Sequence, residues 1–267
     1  MTFSAKTKEE LCQTRLDRKC CAGAEAYGIL LYCHTFSPDC IRIITSSDAF
    51  AARLPRLFRR AFGVSFDVQP PEGAEGKRSF VITNREKISV IFDAFGIDAE
   101  SALSLHINLG ALENDCCRAS FIRGAFLSGG SITDPGKRYH LELCTAHFSV
   151  SREAYSILLD MGFSPKETVR SGSYLVYFKQ SEAIEDFLTT IGASGAAGRR
   201  RRDRRRPRPP CESSSYSSSR GFGPWPGTGF RARSPDVGSF FGRRLRFLEP
   251  APRASFSACS IISWRPA

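Results

Sequence analysis

The sequence predicts an α+β protein: two tandem αββαββα units with pseudo-twofold symmetry, followed by a disordered Arg/Pro/Ser-rich tail. Three observations carry that expectation. First, two stretches 96 residues apart repeat each other. Cys20-Cys21 falls on Cys116-Cys117, Ala24 on Ser120, Gly28 on Gly124, Leu31 on Leu127 and Thr35 on Ser131. The same register returns farther on, where Ile88, Phe92 and Gly96 meet Ile184, Leu188 and Gly192. A fixed offset over that span argues for one supersecondary unit used twice, and two copies make a pair rather than a solenoid. Second, helical and strand-like segments alternate in both stretches. Third, composition breaks abruptly near residue 198.

The elements follow in order. Residues 4–16 predict a short helix with Ser4 as candidate cap. The helix opening copy one carries Ala24 and Gly28 four apart, and the one opening copy two carries Ser120 and Gly124. Small residues at that spacing share a helix face and let two backbones approach closely. These two helices are therefore expected to meet on the pseudo-twofold axis. Strands are expected at 41–45, 64–68 and 79–83 in copy one, and at 140–145, 167–169 and 174–178 in copy two. Apolar and polar residues partly alternate there, as in a half-buried sheet. Helices are expected at 47–62 and 149–161, each ended by a glycine suited to a left-handed cap, and at 84–95 and 180–191. QPPEGAEGK at 69–77 reads as a loop, and 98–115 as a connector with room for a short helix. The expected layout is an N-terminal helix at 1–19, the first repeat and connector at 20–115, the second repeat at 116–197 and the tail from 198 to 267.

Charge separates these parts. The chain carries a formal +11 over 267 residues, yet residues 1–198 hold 22 basic and 23 acidic side chains, so the excess lies beyond them. The tail has 16 Arg and no Lys, with seven Arg between 199 and 206, then Ser-rich and Gly/Pro-rich sequence. Such composition cannot bury enough apolar surface to offset ordering entropy, so disorder is expected. No run of about 20 apolar residues predicts a membrane span, and the N-terminus lacks the apolar core of a secretory signal. Ten Cys without export imply reduced thiols in a cytoplasmic protein. No CxxC occurs, and adjacent Cys on a helix point about 100° apart, so neither a metal nor a cofactor is expected.

At RASFIRGAFLSGGSITDP (118–135) and YHLEL (139–143) the sequence becomes specific. With KCC at 19–21, RSGSYLVYFK at 170–179 and FLTTIGAS at 187–194, residues 1–197 resemble the WhiA family. The resemblance implies a bacterial DNA-binding regulator of sporulation and cell division, nucleoid-associated in the cytoplasm. It implies a LAGLIDADG homing-endonuclease-like domain followed by a helix-turn-helix. The nucleases of that fold place an acid at the foot of each interface helix to hold a divalent cation. The matching positions here are Cys33 and Gly129, neither of which offers an oxygen anion. Asp134 and Glu142 lie near the second position, but a turn cap and a strand surface account for them. No nuclease activity is expected. Beyond Ala197 the helix-turn-helix is replaced by the Arg-rich tail, which suggests a shifted reading frame.

Three functions compete. The first is a non-catalytic transcription regulator, here truncated, with DNA as partner and other transcription or cell-division proteins beside it. Arg123, Lys137, Arg138, Arg170 and Lys179 are the candidate nucleic-acid contacts, and such contacts position a protein without reading bases. The second is a metal-dependent nuclease, disfavoured by the missing acid pair. The third is salt-sensitive, sequence-indifferent nucleic-acid binding through Arg199–Arg208, with the repeat domain serving, as the resemblance also allows, as a partner-binding module without DNA specificity of its own.

Overall fold

The computed structural model describes residues 2–71, 73, 74, 76–97, 104–133 and 140–197. The first copy follows α1 (Phe3–Cys12) and comprises α2 (Lys19–Leu31), β1 (Thr35–Phe36), β2 (Ile41–Thr45), α3 (Asp48–Phe62), β3 (Arg78–Ile82) and α4 (Arg85–Ala94). A 3-10 turn at Leu109–Leu112 leads to the second copy. That copy comprises α5 (Asp115–Gly129), β4 (Gly130–Ile132), β5 (Leu141–Thr145), α6 (Phe148–Asp160), β6 (Lys166–Arg170), β7 (Ser173–Phe178) and α7 (Ser181–Ile191), with one further turn, α8 (Ser194–Ala197). The expected α+β tandem repeat is what forms.

Helix ends follow the sequence closely. Ser47 caps α3 by accepting from Phe50 N, and Gly63 ends it at φ 76°. Asn84 caps α4, accepting from Lys87 N at 3.1 Å. The N-terminal helix is shorter than expected, and Thr2 caps it in place of Ser4, accepting from Ala5 N at 3.2 Å.

All strand pairs are antiparallel: β1-β2-β3 in one sheet and β4-β5-β7-β6 in the other. Two strand expectations need correction. Each interface helix runs almost directly into a short strand, β1 or β4, which alternation over two or three residues cannot reveal. The strand expected at 64–68 is reduced to a single bridge, Val68 to Val81. Val64 and Phe66 are still buried, so the alternation was real. The ladder fails because the Asp67 carboxylate accepts the N–H groups of Thr83 and Asn84 at 2.8 Å, and Pro70 and Pro71 follow. The hydrogen bond from the Lys87 ammonium, and after it those two backbone bonds, hold Asp67 down to a pKa of about 2.

The core centres on α2 against α5. A methyl carbon at Gly28 would overlap the Phe121 carbonyl and stand 2.7 Å from Ala125 N. One at Gly124 would overlap the Glu25 carbonyl and stand 3.0 Å from Ile29 N. Positions 25 and 29 are the register mates of 121 and 125, so the contact is reciprocal across the pseudo-twofold axis. Ala24 and Ser120 are buried on the same helices.

The two flanks of this helix pair are not alike. On one, Glu25 of α2 receives Arg53 of α3 at 2.6 and 2.9 Å and Arg123 of α5 at 3.4 Å. Arg53 also donates to the Cys12 and Thr14 carbonyls, and Arg123 to the Ile191 carbonyl at 2.9 Å. On the other flank stand the register mates, Phe121 and Tyr27. Tyr27 stacks on Phe95 at 3.9 Å, meets Phe121 edge-on at 5.7 Å, and donates to the His106 carbonyl at 2.8 Å. One symmetric frame thus carries an ionic knot on one side and an aromatic stack on the other.

Candidate nucleic-acid interface

Pleating decides what each sheet shows to solvent. In the first sheet, Ile41, Ile43, Phe80 and Ile82 point into the core, leaving Arg42, Ile44, Ser79 and Val81 on the outer face. In the second, Leu141, Leu143, Val176 and Phe178 are buried, and the outer face carries Ser131, Glu142, Tyr177 and Lys166 in one row across four strands. Period two along β6 adds Arg170 to this side. Lys179, just past β7, lies over the Tyr177 ring with Nζ 5.2 Å from its centroid.

The face is basic and aromatic, with one carboxylate inside it. Glu142 accepts from Ser131 Oγ at 3.1 Å and Arg170 at 3.4 Å, and pairs with His140 Nε2 at 3.2 Å. His140 also leans on Tyr177, with ring centroids 5.7 Å apart. Glu142 is therefore committed to neighbouring cations. Arg170 keeps 64% of its side chain exposed and can swing toward another anion.

Of the expected contacts, Arg170 and Lys179 share this face. Arg123 does not. Its side chain is 9% exposed, tied to Glu25, Ile191, Thr14 and Ser120 in the ionic knot. A guanidinium buried that way serves the fold and cannot meet phosphate. Lys137, Arg138 and Asp134 lie outside the described residues, as does the tail from residue 198. Sequence reasoning missed Lys166, although Lys166, Thr168 and Arg170 alternate along one strand and could have been grouped by period.

At the feet of α2 and α5, the degenerate acid positions are filled. Cys33 Sγ donates to the Thr35 carbonyl at 3.1 Å, and burial pushes its thiol up to about 12. At Gly129 a methyl carbon would overlap the Cys144 carbonyl and stand 2.8 Å from the Tyr32 ring. No carboxylate side chain fits there without moving Tyr32 and β5. The Tyr32 hydroxyl is buried beside this point with no hydrogen-bond partner among the described residues, and burial pushes its pKa up.

At the opposite ends of the same helices, the two Cys-Cys pairs come together. Cys20, Cys21 and Cys117 place their sulfurs within 4.8 Å of one another. Cys116 Sγ is 4.0 Å from Cys117 Sγ, matching the 4.0 Å between Cys20 and Cys21. Burial, then the neighbouring thiols, push the Cys117 thiol up. The metal reading of the sequence weighed spacing within each segment. The cluster arises between segments.

Among the described residues no helix is long and apolar enough to cross a membrane. The family model of the WhiA LAGLIDADG-like domain matches residues 118–205. The chain is 38% identical over 204 residues to the probable cell division protein WhiA of Ruminiclostridium cellulolyticum, covering 73% of this chain and 65% of that one. It is 33% identical over 210 residues to the protein of that name from Alkaliphilus oremlandii, covering 73% and 66%. It thus spans just under two thirds of these relatives' length. Among solved structures, the N-terminal LAGLIDADG domain of DUF199/WhiA aligns with a TM-score of 0.55 at 23% identity, over 72% of this chain and 92% of that one. Full-length DUF199/WhiA from Thermatoga maritima aligns at 0.56 and 22% identity, over 72% and 62%. These two likenesses show the fold.

Proposed function

The chain belongs to the WhiA family, and from that premise we propose that it is a non-catalytic, DNA-associated regulator whose second sheet lies against nucleic acid. Its relatives are named as probable cell division proteins, and a role in controlling division and sporulation genes is the reading we extend to it. The observation that supports it best is the outer face of the second sheet, where Lys166 and Lys179 flank Tyr177 and Arg170 lies farther along β6 beside Glu142. Three cations on a pleated surface can neutralise phosphates, which positions the protein along a duplex. Tyr177 offers a ring for stacking, although the adjacent Glu142 opposes close approach of phosphate near it.

Catalysis is not part of this reading. Hydrolysis of a phosphodiester by this fold needs paired oxygen anions around a divalent cation. Here one foot carries a thiol already donating to a carbonyl, and the other has no room for a side chain. The scaffold holds its partners without cutting them. The helix-turn-helix expected from the resemblance is not legible in residues 198–267, and among the described residues the second sheet is the surface to which we assign DNA contact.

The test compares full-length protein with a Lys166→Glu/Arg170→Glu/Lys179→Glu variant, measuring duplex binding against salt concentration. Losing three phosphate contacts should flatten the slope of log K against log salt by about 3. An unchanged slope would remove the sheet from the interface. If replacing Arg199, Arg200, Arg201 and Arg202 by Gln abolishes binding while the triple variant does not, the basic tail is the nucleic-acid element instead.

A further inference from the structure

We propose that Cys20, Cys21 and Cys117 form a binding site for a soft closed-shell cation, Zn2+ or Cu+, that staples the first turns of α2 and α5 together. The argument begins with distance. A cation with metal–sulfur bonds of about 2.3 Å and tetrahedral angles holds its sulfurs about 3.8 Å apart. The three sulfurs here already lie within 4.8 Å of one another, and Cys20 and Cys21 are 4.0 Å apart. Closing that gap takes side-chain adjustment only.

The donor set selects the ion. Sulfur-only coordination favours Zn2+ and Cu+ over Mg2+ or Ca2+, which demand oxygen. Cys116 Sγ lies 4.0 Å from Cys117 Sγ, at the margin of this three-sulfur cluster. Loading an ion releases the thiol protons to solvent, leaving thiolates whose negative charge the metal offsets in part, less for Cu+ than for Zn2+.

Placement supplies the second argument. Cys20 and Cys21 occupy the second and third positions of α2, and Cys116 and Cys117 those of α5. Two helix N-termini therefore converge on the cluster, and the positive ends of their dipoles favour negative charge on sulfur. Cys20 is exposed, Cys21 half-buried and Cys117 buried, so an ion can approach from solvent and finish shielded. The site lies across the pseudo-twofold axis, with two ligands from one copy and one from the other. Neither copy contains it alone, which is why no metal-binding spacing exists in the sequence.

The experiment uses the full-length chain, purified reduced and without chelator. Metal analysis after dialysis against Zn2+, and separately against Cu+ under anaerobic conditions, should find one ion per chain. Co2+ in place of Zn2+ should produce a strong thiolate charge-transfer band. A Cys20→Ser/Cys21→Ser variant should lose ion and band together, whereas Cys33→Ser/Cys40→Ser should retain both. Cys20 is exposed and Cys21 only half-buried, so the variant should keep the fold, checked by circular dichroism. Chelation should lower the melting temperature of the wild type and leave that of the Cys20→Ser/Cys21→Ser variant unchanged. Retention of Cu+ but not Zn2+ would support the site and name its ion. The proposal is overturned if the double variant binds as the wild type does. It is also overturned if the reduced wild type stays metal-free in both arms while its thiols react freely.

Discussion

Replacing Gly28 by Ala tests the central contact of this protein most directly. The added methyl has nowhere to go, because it meets the Phe121 carbonyl and Ala125 N, which are helix backbone. A flexible side chain could turn aside, but α5 can only move away as a rigid body. Overpacking of this kind costs about 1–3 kcal/mol, and a backbone obstacle places it at the upper end. Helix propensity works in the other direction, since Ala is favoured over Gly by about 1 kcal/mol. The net expectation is destabilisation by about 2 kcal/mol, read as a lower urea midpoint at unchanged slope. Gly23→Ala is the control within the same helix, because a methyl there meets nothing within 4 Å. That variant should gain up to about 1 kcal/mol. Gly124→Ala should behave like Gly28→Ala, since its methyl would overlap the Glu25 carbonyl. The double variant should cost less than the sum, because α2 and α5 need to separate only once. If Gly28→Ala proves as harmless as Gly23→Ala, the reciprocal backbone contact is not what holds the copies together.

Other consequences follow from buried groups. Glu25→Gln should destabilise by about 3–5 kcal/mol, because it leaves Arg53 and Arg123 buried without their carboxylate. Arg123→Met should cost less, since Arg53 still pairs with Glu25, and it should leave the salt slope of DNA binding unchanged. Tyr32→Phe removes a buried hydroxyl that has no partner among the described residues, so thermal unfolding should show it neutral or up to about 1 kcal/mol more stable. Tyr27→Phe is the contrast and should cost about 1–2 kcal/mol, because that hydroxyl donates to the His106 carbonyl and accepts from Asn108 N at 2.9 Å. Lys8 donates to the Leu127 carbonyl at 3.1 Å, and desolvation lowers its pKa from 10.5 to about 8. Between those values the unfolded chain holds a proton that the folded chain has released, so raising the pH favours folding through this group. Cys12, raised by burial to about 12, opposes that trend once its unfolded thiol ionises. The measurement is therefore a difference: from pH 8 to 10.5 the wild type should gain stability relative to Lys8→Met.

Much of the fold was legible because the repeat is written in features that survive without tertiary context. Gly28 and Gly124 announce close helix approach wherever they occur in register, and Gly63 announces a helix end. The register itself holds at both ends of the repeat and slips between them. The interface helices and the closing helices start 96 residues apart, but β2 and α3 start 100 residues before β5 and α6. Fidelity thus concentrates at the interface helices and the closing helices, while the loops between them vary. The missing strand at 64–68 has a different cause. Alternating burial at Val64 and Phe66 is the same whether or not a ladder forms, and the Asp67 carboxylate, taking two N–H groups, decided against the ladder.

The site was less legible because charge and thiol chemistry depend on who faces whom. Arg123 looks like any surface cation until Glu25, 98 residues earlier, is seen beside it. Its register mate is Tyr27, and the mate of Glu25 is Phe121. A symmetric dimer of identical halves would repeat the same chemistry on both flanks, one Glu25-type carboxylate facing two cations on each. Fusing the copies in one chain allows each flank its own chemistry, so only one ionic knot has to be desolvated and the other flank gains an aromatic stack. That division commits Arg123 to the fold. It also leaves the nucleic-acid role to cations on β6 and beyond β7, of which Arg170 is shared with Glu142 while keeping most of its side chain exposed.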